Sequence, residues 1–221
     1  MIRKLLVVCL LLSTVSTVGY AQKMKLGLLV YTGGGDWYAN PTALKNLASF
    51  CNKSLQTNFD LQEAQVEANS PDIYNYPFIH MTGHGRWIVS DEEAKNLRDY
   101  MMAGGFLHID DNYGLDEYVR PVLKKIFPNI DLVEVPFSHP IYKQPYDFSH
   151  GVPKIHEHDN KAPQGYGIFY NGRLVCYYTT ETDLGDGWED PEVHNDTREA
   201  HRKALEMGAN IVQYALTGTG S

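Results

Sequence analysis

Residues 90–114 read SDEEAKNLRDYMMAGGFLHIDDNYG, and the change of period inside that stretch decides the fold. Ser90 and Glu93 have capping-box spacing, Leu97 and Met101 face a core, and Gly104 with Gly105 stops the helix. A strand follows at once, Phe106 to Ile109, apolar enough to be buried on both faces. It runs straight into Asp110 and Asp111. Isolated carboxylates are costly to bury, so each aspartate is either a local cap or part of a site. Alternation sends Phe106, His108 and Asp110 to one face of the sheet and Leu107, Ile109 and Asp111 to the other. At least one carboxylate therefore turns into a crevice however the strand ends.

Outward from this stretch, strands and helices alternate. Lys25 to Thr32 reads as a first strand, Pro41 to Leu55 as a helix, Phe59 to Val66 as a second strand and Phe78 to Thr82 as a third. Downstream, Leu115 to Ile126 is a helix and Asp131 to Val135 a fifth strand. The run YGIFYNGRLVCYYT, 166–179, gives two strands around an Asn-Gly turn, and Asp196 with Glu199 caps a final helix to about Leu216. The pattern predicts a three-layer, flavodoxin-like α/β domain. Its sheet is mostly parallel, in the order two-one-three-four-five, with a C-terminal β-hairpin and helix.

Residues 1–22, MIRKLLVVCLLLSTVSTVGYAQ, combine Arg3 and Lys4, an apolar run from Leu5 to Leu12, and small residues Gly19 and Ala21. That is the pattern of a secretory signal peptide, leaving 23–221 as one periplasmic or secreted domain with no membrane span in the mature chain. Losing the two cations Arg3 and Lys4 takes the formal charge from −8 to −10. With no basic stripe to neutralise phosphates, nucleic acid is excluded as a partner. The mature chain keeps two cysteines, Cys51 and Cys176. In an exported protein they could pair as a disulfide, yet Cys51 shares a helical face with Leu44, Leu47 and Leu55, which favours two buried thiols.

In parallel sheets, ligands bind beyond the carboxyl ends of the strands, where the strand order reverses. The loops expected there carry the candidate catalytic residues Asp36, His84, Asp110 and Asp111, as acid/base groups or metal ligands. Trp37, Tyr38, Arg86, Asn112, His139 and Trp188 are the candidate ligand-lining residues. His84 lies between Gly83 and Gly85, which let backbone approach a ligand. Pro140 holds His139 extended. Trp188 is expected to fold over the crevice, whereas Trp37 either lines it or packs as a lid. His80 and His108 lie inside strands and read as core residues with satisfied nitrogens. The loop TGGGDWY lacks the lysine and spacing of a P-loop and does not fit the dinucleotide fingerprint, so the sequence names no cofactor. KIHEHDNK, 154–161, contains an H-x-H with nearby acids that can hold a transition metal, but with no partner ligand fixed by secondary structure it reads as solvated charge. TDLGDGWEDPE, 182–192, gathers acids without the spacing of a calcium loop.

YMMAGGFLHID, GRLVCYYT and MGANIVQYAL resemble the trehalose-utilisation (ThuA-like) families of the class I glutamine amidotransferase-like superfamily. GGDWY, GGFLHIDD, SHPIY and GDGWE together resemble the bacterial family called domain of unknown function 4159 more closely. The resemblance covers nearly all of the mature chain and implies the α/β fold. Amidotransferase relatives place a cysteine nucleophile on the sharp turn after a buried strand, whereas this chain has Asp110, Asp111 and Asn112 there. Cysteine-based glutaminase chemistry is thereby excluded. Two functions remain open: a hydrolase of a carbohydrate or cell-envelope fragment, or a non-catalytic domain binding a small-molecule or envelope ligand. Clustering of Asp36, His84, Asp110 and His139 favours the first and dispersal the second.

Overall fold

The structure is a computed structural model that describes residues 23–218; the expected leader, 1–22, lies outside the described residues. Among these, the strands are β1 (Gly27–Val30), β2 (Ala64–Glu67), β3 (Phe78–Met81), β4 (Phe106–Asp110), β5 (Val133–Glu134), β6 (Gln164–Tyr170) and β7 (Arg173–Thr180). The helices are α1 (Ala43–Ser54), α2 (Asp91–Met102), α3 (Asp116–Ile126), α4 (Leu184–Trp188), α5 (Pro191–His194) and α6 (Arg198–Thr217). The strands form one mixed sheet in the order β2-β1-β3-β4-β7-β6-β5. β2, β1, β3, β4 and β7 are parallel, whereas β6 runs antiparallel to both β7 and β5.

The expected order holds through β4 and then fails, because β7 and not β5 lies beside β4. The reason is burial. Leu174 to Tyr178 is a continuous apolar run that a central strand can bury on both faces, while Val133 and Glu134 of β5 are exposed at the sheet edge. The hairpin expected at Asn171-Gly172 supplies β7, and both turn residues adopt positive φ, 50° and 80°.

One side of the sheet packs on α2 and α3 through Leu97, Met101, Val119 and Leu123; the other packs on α1, α4 and α6 through Leu44, Leu47, Trp188 and Ile211. The capping box on α2 is complete: Ser90 Oγ accepts from Glu93 N at 3.1 Å and Glu93 Oε2 from Ser90 N at 2.7 Å. The cap of α6 departs from expectation. Thr197 accepts from Ala200 N, and Asp196 is instead drawn to His156. Cys51 and Cys176 are free and buried, and burial pushes the Cys51 thiol up to about 12.

Candidate functional site

The aspartate pair at the end of β4 divides as alternation requires, and the halves have different roles. Asp111 organises the turn into α3: its Oδ1 accepts from the amides of Tyr113 (2.9 Å) and Leu115 (2.8 Å), and its Oδ2 from the hydroxyl of Tyr178 (3.3 Å). Burial holds its carboxyl above the usual range, although the amide bonds pull it back. Asp110 is fully buried on the α1/α6 side. It accepts from the Thr179 hydroxyl at 2.5 Å and from Gly185 N at 2.7 Å. Desolvation pushes its pKa well above the carboxylate range, and Asp183 and Asp186 add to the effect. Asp110 thus joins β4, β7 and α4 from the inside.

Asp36 and His84 do meet. His84 N donates to Asp36 Oδ1 at 2.5 Å, and His84 Nδ1 lies 3.1 Å from Asp36 Oδ2. Gly83 lets this contact form, because a Cβ there would lie 2.6 Å from the Tyr31 hydroxyl and 2.8 Å from Asp36 O. Asn112 is buried beside Asn40 and Thr82, with Nδ2 donating to Asn40 Oδ1 at 2.9 Å. Trp37 and Tyr38 sit edge to face, 5.5 Å apart, on a small pocket with Asn40 and Leu44. Arg86 borders a separate shallow depression with Trp87 and Tyr118.

Two expected lining residues lie elsewhere. His139 caps the 3-10 turn Pro140–Tyr142 and packs against Phe169 and Tyr214, towards the opposite end of β6 from the carboxyl rim. Trp188 is no lid: it is buried in the core, Nε1 donating to Ala204 O at 2.8 Å, against the rings of His80 and His108. Those two histidines are core residues, as expected, with their Nδ1 atoms 3.1 Å apart, but their nitrogens are not all satisfied: His80 Nε2 has no hydrogen-bond partner among the described residues.

The loop 154–161 is solvated charge only in part: Glu157, Asp159 and Lys161 are exposed, whereas His156 and His158 reach carboxylates. It folds onto the acidic segment around α4, where three carboxylates surround His156. Nδ1 lies 3.3 Å from Asp183 Oδ2 and 3.4 Å from Asp186 Oδ2, and Nε2 lies 3.0 Å from Asp196 Oδ1. Those bonds, Asp183 first, hold its imidazolium up to about 10. His194 Nδ1 lies 3.7 Å from the same Asp186 oxygen. His158 Nε2 is 2.5 Å from Asp183 Oδ2, and its ring stacks on Tyr113 with centroids 4.7 Å apart. Tyr113 and His158 line a cleft of about 420 Å³ on the carboxyl edge, with Asp111, Arg120, Lys161 and Thr180 among its other walls.

Residues 25–216 match the family model described as Domain of unknown function (DUF4159). The chain belongs to that family. No curated protein matches it. In this DUF4159 domain the expected catalytic four are dispersed. Asp36 and His84 form a surface pair, Asp111 is a turn organiser, and Asp110 is sealed inside. The residues that do converge are His156, His158, Asp183, Asp186 and His194. The sequence signalled four of them only as an H-x-H loop and a separate acid-rich segment, His194 lay outside both stretches, and nothing local showed that the DUF4159 fold brings them together.

Proposed function

We propose that the chain is an exported domain that binds a small polar ligand carrying both charges, such as a peptide-bearing cell-envelope fragment, in the cleft between the β4 and β7 ends. The observation carrying this reading is the cleft itself. It opens on the carboxyl edge of the parallel strands, beyond β4 and β7, and its wall holds Arg120 and Lys161 beside Asp116 and Glu181, with Tyr113 as an apolar platform. Of Asp36, His84, Asp110 and His139, the first two meet while Asp110 and His139 lie apart from them, and that partial dispersal favours binding over catalysis. The domain is tested with a disaccharide-peptide fragment of the cell wall in thermal-shift and calorimetric titrations. Binding that weakens at least tenfold in Arg120→Gln and Lys161→Gln, but not in Lys53→Gln, is expected. A fragment that leaves melting unchanged, or binds the variants equally well, overturns it. Intact mass of exported material should show a start near Gln22 or Lys23.

Hydrolysis of the bound fragment is a second reading, favoured by one observation: His158 faces the cleft while the buried carboxylate of Asp183 orients it through Nε2. An imidazole so held is a general base. Its other nitrogen takes a proton from water as the water oxygen attacks the ligand's acyl or anomeric carbon, and returns it to the leaving group. Product seen by mass spectrometry with the wild type and lost in His158→Gln supports this reading; intact fragment after prolonged incubation removes it.

A further inference from the structure

The histidine cluster beside the cleft has a geometry that ligand binding in the cleft does not use. His156, Asp186 and His194 each offer one donor atom, all within 4.8 Å of one another. Asp186 Oδ2 is faced by both histidines through the same ring atom, with Nδ1 of His156 at 3.4 Å and Nδ1 of His194 at 3.7 Å. A tetrahedral ion with bonds of about 2.0–2.1 Å separates its donors by about 3.3 Å, so the two distances to Asp186 stand close to the edge lengths of such a site.

The support around the three donors is also that of a metal site. Each histidine hands its remote nitrogen to a carboxylate: His156 Nε2 to Asp196 Oδ1 at 3.0 Å, and His194 Nε2 to Glu189 Oε2 at 3.0 Å. Carboxylate-histidine pairs of this kind fix the tautomer and aim the other ring nitrogen at an ion. Asp186 is held in turn, since Asn40 Nδ2 donates to its Oδ1 at 2.6 Å and leaves Oδ2 for the histidines. Glu189 is anchored by the backbone N–H and hydroxyl of Thr42. Asp183 is fully buried next to His156, and its Oδ1, like the buried Oδ2 of Asp196, has no hydrogen-bond partner among the described residues. A buried group of carboxylates with spare lone pairs is stabilised by a cation.

We propose that His156, Asp186 and His194 bind a divalent first-row transition ion, of which Zn²⁺ is the reference. Two imidazoles and one carboxylate select such ions over Mg²⁺ and Ca²⁺, which take oxygen donors. The proposal stands independently of what the cleft binds.

The purified chain, stripped with chelator, is titrated with Zn²⁺ by calorimetry, and with Co²⁺ by visible absorption, which reports nitrogen and oxygen donors on the ion. One equivalent of Zn²⁺ and a Co²⁺ visible band are expected. His156→Gln and His194→Gln should each weaken Zn²⁺ binding at least tenfold and abolish the band, and Asp196→Asn should weaken it by about 10–100-fold through loss of the outer carboxylate. His150→Gln, at an exposed histidine away from the cluster, should bind as the wild type. His194 is the most exposed of the three ligands, with 29% of its side chain accessible against 22% for His156 and 12% for Asp186; a native far-ultraviolet dichroism spectrum of His194→Gln separates loss of a ligand from loss of fold. Absence of stoichiometric binding in the wild type, full affinity in folded His194→Gln, or loss of binding in His150→Gln overturns the proposal.

Discussion

Asp110 and Asp111 are neighbours in sequence with opposite thermodynamic roles. Asp111 satisfies two turn amides and a tyrosine hydroxyl, so Asp111→Ala strips buried donors of their acceptor and should lower stability by roughly 1–3 kcal/mol. Asp111→Asn keeps one oxygen and should lose less. At Asp110 the cost is the burial of a carboxyl whose pKa is raised. A raised folded pKa means that stability present below the unfolded value, about 3.9, is lost as pH rises towards the folded value. Asp110→Asn retains an acceptor for Gly185 N without that loss, so its melting temperature should match the wild type near pH 4 and exceed it at pH 7. Thermal melts of the three variants at both values check this; a wild type that melts higher than Asp110→Asn at pH 7 would mean that the buried group is held by a cation.

At the scale of elements, α6 lies close to α1 and α4 because Gly208 leaves room. A Cβ there would meet Leu47 Cδ1 at 2.6 Å and Trp188 Nε1 at 2.8 Å. Alanine is the better helix former by about 1 kcal/mol, but overpacking typically costs about 1–3 kcal/mol. Gly208→Ala should therefore destabilise, read as a lower denaturant midpoint, and a higher midpoint would show that the helices separate easily. The same packing explains Trp188. The segment GDGW was legible as acid-rich, with its tryptophan expected over the crevice, but Trp188 is drawn inward because α6 offers the Ala204 carbonyl to the indole N–H.

Across the whole molecule, the sheet carries a polar pair in its interior, His80 on β3 opposite His108 on β4. Burial lowers His80 to about 3 and holds His108 well below the usual imidazole range, the second with a contribution from His80. Both are depressed below the unfolded value near 6.5. Their contribution to stability is present above 6.5 and is lost as pH falls towards 3, because the unfolded chain takes up protons that the fold excludes. Global unfolding should become easier across this window by on the order of a few kcal/mol, since each tenfold loss of proton affinity is worth about 1.4 kcal/mol. A double variant with leucine at both positions should lack much of that acid limb in chemical denaturation between pH 7 and 4. Equal slopes in the two proteins would place the acid sensitivity elsewhere. No helix among the described residues is long and apolar enough to cross a membrane.

The alternation of period-2 and helical segments determined the α/β class by itself, since capping boxes, glycine stops and apolar runs act within a few residues of chain. It also placed β1, β3 and β4 correctly and identified Cys51 and the strand histidines as interior. Only tertiary structure decided which strand lies beside β4, because β5 and β7 compete for one edge and the winner is whichever buries more apolar surface on both faces. It decided likewise that Asp111 is a turn organiser while Asp110 is sealed inside: alternation assigns faces, but not what packs against them. The convergence of His156 and His158 with Asp183, Asp186 and His194 was hidden for the same reason. Their loops are joined through long-range contacts between 154–161 and the residues around α4, and no local propensity encodes a contact across that separation.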